Sequence, residues 1–128
     1  GMATLLEDLA SRGLLESTII WWSGEFGRTP KIQWESPYNG GRGHWGSAFT
    51  AVLAGGGFKG GRVVGNSDAR GETVKDRPVS PSDLIASIYD RLGIVAGTTL
   101  TLPDGTQVPL TSSAADGASA GGPLTEIT

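Results

Sequence analysis

The sequence predicts an α/β layer fold: a small, mostly parallel sheet with flanking helices and a C-terminal β-hairpin. Three observations carry this. Residues 17–22 read STIIWW, an apolar and β-branched run without alternation, which suits a strand buried on both faces as in a parallel sheet. Residues 48–54, AFTAVLA, are the second buried-strand candidate, with a short helix as the alternative because Ala and Leu suit either. Helical patterns lie on either side of this pair, and alternation of helix, strand, strand and helix with short connections is the mark of α/β layering.

The first helix is expected over residues 3–12. Leu5, Leu6, Leu9 and Ala10 recur at helical period, Thr4 and Glu7 have capping-box spacing, and Gly13 supplies a stop. The first strand follows, with Trp21 and Trp22 expected in the core. It breaks at Ser23-Gly24 into a polar loop carrying Glu25 and Arg28. Ligands in open α/β sheets bind just beyond the carboxyl ends of strands, where these two residues fall.

Residues 27–46 read as a long Gly-, Pro- and aromatic-rich loop holding Trp34, Tyr38, His44 and Trp45. A stretch of that length inside a compact domain is usually functional or mobile. After the second strand, GGGFKGG turns the chain into a short third strand at 62–64. Ser80-Pro81-Ser82-Asp83 then opens a helix over 81–92: a capping serine, proline at the first helical position and a carboxylate at the third. Leu84, Ile85, Ile88, Tyr89 and Leu92 form its apolar stripe and Gly93 ends it.

Residues 98–102 and 106–110 flank Asp104-Gly105, a hairpin signal. Residues 112–122 are Ser-, Ala- and Gly-rich and read as a flexible linker before the final PLTEIT. The organisation is therefore an α/β segment over 3–95, a hairpin over 96–111 and a tail over 112–128. Two or three strands are few for such a sheet, and the open edge and apolar faces predict association, either as a homodimer or with another chain.

Composition narrows the function. A net charge of −3 and a pI near 5.0 give no electrostatic footprint for nucleic acid or an anionic membrane. There is no cysteine, which removes disulfides and thiolate metal sites and leaves the compartment unreadable. No signal-type segment precedes Ala3, and no run approaches the length of a membrane span. The 21 glycines are about twice the usual share and cluster in loops.

Glu25 and His44 are the candidate metal ligands. A catalytic zinc takes three protein donors and leaves one position open, so these two need a third, for which Asp68, Asp76 and Asp83 are available. The competing reading, which a lone histidine and one carboxylate favour, pairs Glu25 with Arg28 at the loop and has His44 hydrogen-bond backbone. Arg28, Arg42 and Lys59 are the candidate anion-binding residues, since guanidinium groups hold phosphate and sulfate through paired donors. Solvated loop charge is the competing reading. The 55–61 glycines lack the GK[ST] ending of a phosphate loop and read as a turn. Ser23 and Thr29 lack a nucleophile's surroundings, and no catalytic residue is assigned. Trp34 and Trp45 remain open between packing and stacking on a sugar.

WWSGEFGRTP, GRGHWGSAFTAVLAGGGFKGGRVVG and VKDRPVSPSDLIASIYDRLGI, in this order, resemble the family called domain of unknown function 1501, and PLTEIT resembles its terminal piece. That family is similar to the alkaline phosphatase and sulfatase superfamily. The resemblance implies the C-terminal part of an α/β sandwich that hydrolyses phosphate or sulfate esters with a divalent metal such as zinc, in proteins often exported from bacteria. The superfamily's nucleophile lies in the amino-terminal half, so the resemblance implies a fragment inactive alone and a separate chain or segment to complete it. Two positions depart from the pattern. Glu25 and Phe26 stand where the superfamily carries an Asp-His ligand pair, and Gly43 stands where the family usually carries an aspartate before the histidine. The rival reading is a non-catalytic binding or structural module that associates with itself or a partner.

Overall fold

A computed structural model describes residues 1–111 and 121–128; most of the expected 112–122 linker lies outside the described residues. Among the described residues the chain forms two helices, α1 (Met2–Ser11) and α2 (Pro81–Arg91), and eight short strands. These are β1 (Ile19–Ser23), β2 (Gly27–Arg28), β3 (His44–Trp45), β4 (Ala51–Gly55), β5 (Asn66–Ser67), β6 (Val74–Asp76), β7 (Thr99–Thr101) and β8 (Gln107–Pro109).

The strands form four two-stranded sheets, β1–β4, β2–β3, β5–β6 and β7–β8, every one antiparallel. The expected mostly parallel sheet is thus overturned. The chain leaves along β1 and β2 and returns along β3 and β4, with Trp22 opposite Val52 and Gly27 opposite Trp45. A chain that doubles back directly must pair antiparallel, whereas parallel pairing needs a crossover between the strands. The region 27–46 is no structureless loop either: β2, β3 and a bridge between Gln33 and Gly41 order it.

The β1–β4 ladder is also not buried on both faces. Trp21 is 50% exposed and Trp22 60% exposed, on opposite sides of the strand, so neither is a core residue. The absence of alternation in IIWW reflects a ribbon half-wet on both faces. Its far end is closed by the Gly55-Gly56-Gly57 turn, which fastens to the single 3-10 turn at Leu15–Ser17 through Gly56 N–H donating to the Leu15 carbonyl at 2.9 Å. The expected third strand at 62–64 does not form; pairing begins at Asn66 instead.

Helix α1 begins at Met2 with Gly1 as its cap, so Thr4 lies inside the helix and the expected Thr4/Glu7 box does not form. Its end agrees with the sequence: Gly13 takes φ +67° and its N–H reaches the Ala10 carbonyl. Helix α2 has the predicted start. Ser80 Oγ accepts from Asp83 N–H at 3.1 Å while the Asp83 carboxylate accepts from Ser80 N–H at 3.0 Å. Leu84 is buried, Ile85, Ile88 and Tyr89 are half-buried, and Leu92 is exposed, one position past the end of the packed face.

The terminal segment covers α2. Leu124 and Leu84 are the buried large apolar side chains among the described residues. The Ser87 hydroxyl, fully buried, donates to the Asp83 carbonyl at 2.7 Å and accepts from Leu124 N–H at 2.8 Å. Arg77 donates from Nη2 to the Pro123 carbonyl at 2.9 Å and grips the Glu126 carboxylate through Nε and Nη2. Lys59 N–H donates to the Ile127 carbonyl at 2.8 Å. The expected β7–β8 hairpin is present, its turn held by the Asp104 carboxylate accepting from Thr106 N–H at 2.9 Å. A small cavity of about 120 Å³ lies between this hairpin and α2, lined by Tyr89, Ile94, Val95 and Leu110 among others. It is below the volume range typical of ligand pockets.

Candidate functional site

The β2–β3 ladder continues the β1–β4 ribbon past the carboxyl end of β1, as the motif positions required. Arg28 lies directly opposite His44. The neighbouring pair, Thr29 and Gly43, is the hydrogen-bonded one: Thr29 N–H donates to the Gly43 carbonyl at 3.0 Å. In antiparallel sheets the two kinds of pair alternate, so Arg28 and His44 form the close pair, with Cα atoms about 4.5 Å apart and side chains on one face. Both are exposed. Arg42, two residues before His44, is exposed as well.

Phe26 joins this face. Its ring stacks on the His44 imidazole with centroids 4.7 Å apart and planes 21° apart. The position that resembles a lost metal ligand therefore holds a ring that orients the remaining histidine. Trp45 points the other way, and its indole N–H donates to the Glu72 carbonyl at 2.8 Å. That contact makes Trp45 a structural tie to the 68–73 loop. In that loop the Asp68 carboxylate accepts from Arg70 N–H, Glu72 N–H and the Thr73 hydroxyl. Those bonds, the one from Glu72 first, hold Asp68 below the usual carboxylate range.

Two glycines make the ladder possible. A Cβ on Gly27 would collide with the Ala48 carbonyl oxygen. A Cβ on Gly43 would stand 2.6 Å from Gln33 Oε1 and 3.1 Å from the Tyr38 ring. Gly43 is buried, and its N–H is shared between Gln33 Oε1 at 2.9 Å and Thr29 Oγ1 at 3.1 Å. An aspartate at position 43 would displace the Gln33 amide and press on the Tyr38 ring. Thr29 Oγ1 also donates to the Lys31 carbonyl at 3.0 Å, so its hydroxyl fastens the loop on both sides.

The ladder sets Arg28 opposite His44. Among the described residues, no ion pair or hydrogen bond joins Glu25 to Arg28 or to His44. Arg28, Arg42 and Lys59 likewise form no ion pair there. Lys59 belongs to the turn after β4, fastened to the C-terminal tail through its backbone N–H, and among the described residues no bond links it to the β2–β3 face. For a metal, two donors are fewer than the three a catalytic zinc requires. No group of three or more His, Cys, Asp or Glu that could hold one is present among the described residues. The residues present do not by themselves fit a metal centre.

Gln33 and Tyr38, which pin Gly43, carry no recognisable signal in the sequence. Their roles depend on a hairpin at 33–41 that only the folded loop reveals.

Fold and site together define a small helix-and-ribbon segment that presents paired basic groups on an exposed, glycine-built ladder. The chain belongs to the family described as Protein of unknown function (DUF1501), whose sequence model matches residues 1–118. No curated protein and no solved structure matches it significantly. No helix among the described residues is long and apolar enough to cross a membrane.

Proposed function

We propose that this segment carries the anion-orienting face of a phosphate or sulfate ester hydrolase, with the nucleophile supplied from outside these 128 residues. The observation that supports it best is the close, exposed pairing of Arg28 with His44. Arginine offers a planar fork of N–H donors, and imidazole adds a donor at a fixed orientation. With no carboxylate engaging Arg28 among the described residues, its donors are free for an external anion. Arg42 would add a second guanidinium. Glu25 and His44 would take part in a metal centre only with further ligands from elsewhere.

The test is binding and turnover with the 128-residue chain. Inorganic sulfate or phosphate should bind, and Arg28→Ala should weaken binding about tenfold, the scale of one charge-assisted hydrogen bond. Aryl phosphate and aryl sulfate should not be turned over. Binding indifferent to both Arg28→Ala and His44→Ala overturns the anion face. Turnover by pure chain that Glu25→Ala abolishes overturns the assignment of the nucleophile to another segment. The non-catalytic module reading is favoured by the wet faces of the β1–β4 ribbon, and predicts association without any anion dependence.

A further inference from the structure

Of the two tryptophans left open between packing and stacking, Trp45 is a structural tie, whereas Trp34 is 75% exposed, the most exposed aromatic ring in the described chain. One edge of the ring lies over Gly40, where a Cβ would come within 3.1 Å of Cζ3, and Gly40 sits at φ +92°, a conformation that favours glycine. The hairpin beneath it is closed by Gln33 N–H donating to the Gly41 carbonyl at 3.0 Å and Gly40 N–H donating to the Gln33 carbonyl at 2.9 Å. Tyr38 and Asn39 N–H groups both donate to the Glu35 carbonyl. The indole is therefore backed by Gly40 along one edge and open on its remaining surface.

This platform is coupled to the basic ladder. The residue before Trp34 is Gln33, whose side chain accepts from Gly43 N–H, and Gly43 is the residue before His44. Glu35, Asn39 and Arg42 place exposed polar groups around the same hairpin. A large flat aromatic face flanked by hydrogen-bonding groups is the chemistry that recognises a pyranose. The slightly positive C–H groups of the sugar meet the negative face of the indole, and the hydroxyls meet the polar rim.

We propose that the 33–42 hairpin is a sugar platform, and that the ligand of this face is a pyranose carrying a sulfate or phosphate ester. Trp34 stacks on the sugar ring while the ester group meets Arg28, Arg42 and His44. The proposal rests on the anion-face reading above and names the substrate class for it.

The test follows the Trp34 indole N–H resonance in the 15N-labelled 128-residue chain, identified by its loss in Trp34→Phe. The probes are galactose 6-sulfate, galactose and inorganic sulfate. The expected result is that galactose 6-sulfate moves the Trp34 resonance and binds about tenfold more tightly than sulfate alone, the scale of one good aromatic contact. Trp34→Ala removes that advantage and leaves sulfate binding unchanged. If sulfate and galactose 6-sulfate bind equally and Trp34→Ala changes neither, the sugar platform is overturned while the anion face stands. If Trp34→Ala weakens galactose 6-sulfate but Arg28→Ala and His44→Ala do not, both the ester contact and the anion face fall. If the Trp34 resonance moves with protein concentration alone and none of the probes shifts it, the ring is a self-association contact and the proposal is wrong.

Discussion

At the scale of single residues, Gly27 and Gly46 make a matched pair. A side chain at Gly27 would run into the Ala48 carbonyl where β2 crosses the returning chain, whereas Gly46 has nothing within 4 Å. Gly27→Ala should destabilise by about 1–3 kcal/mol, the usual cost of forcing packed backbone apart. Gly46→Ala should stay within about 0.5 kcal/mol. Urea midpoints at unchanged slope distinguish the two. Glu126 is the residue most shifted in titration: the hydrogen bonds and charge of Arg77 pull its carboxyl from 4.5 down to about 2. A carboxylate with a depressed folded pKa stabilises fully above its unfolded value, and that stabilisation is lost as pH falls through the folded one. The wild-type chain should therefore lose melting temperature between about pH 4.5 and 2. Glu126→Gln should flatten that part of the acid limb, and added salt should weaken the effect because the pair is part-exposed.

At the scale of elements, α2 shows how a locally encoded unit acquires a role that its own sequence does not state. Ser80, Pro81 and Asp83 specify its start through contacts within four residues, and that start formed as read. What makes α2 central is Ser87, an unremarkable serine on the helix face, whose hydroxyl receives the Leu124 N–H from 37 residues away. Ser87→Ala leaves that buried N–H without a partner and should cost about 1–3 kcal/mol. Leu124→Ala should cost about 2–5 kcal/mol, the range for a buried leucine. Because the two share one contact, the double variant should fall short of the sum. Ile88, half-buried, should cost less than Leu124 when truncated. Thermal or denaturant melts of the four variants check the order.

At the scale of the whole molecule, the surface is too large for the mass. A folded monomer of 13.2 kDa exposes about 6,400 Å², and this chain exposes 8790 Å². Setting aside residues 112–120 at the largest surface a chain can present, about 1,000 Å², still leaves roughly 1,500 Å² in excess. That is the per-subunit area of a substantial interface. The prediction is that copies meet through the exposed Trp21, Trp22, Phe49 and Val52 of the ribbon region. Association is therefore the expected outcome: light scattering across a dilution series should give a mass above 13.2 kDa at high concentration. Trp22→Ser should shift it toward the monomer. A mass that stays at 13.2 kDa throughout would show that the ribbon tolerates water on both faces.

The sequence by itself determined what depends on neighbours along the chain. The capping box of α2, the stop at Gly13, the Asp104-Gly105 hairpin and the family motifs around Arg28 and His44 all rest on residue types at short spacing, where sterics and hydrogen bonds leave few choices. The tertiary structure alone decided strand direction, which faces are wet, and which candidates meet. IIWW reads the same in a parallel core strand as in an exposed antiparallel ribbon, because apolarity records a preference for burial and not the identity of the neighbour. Likewise, nothing in the spacing of Glu25, Arg28 and Lys59 tells that Arg28 lies opposite His44 while the Lys59 backbone bonds the tail. Those outcomes are set by the return of the chain at 29–43, a loop whose path is written in Gly27, Gly40 and Gly43 only once the atoms they must avoid are in place.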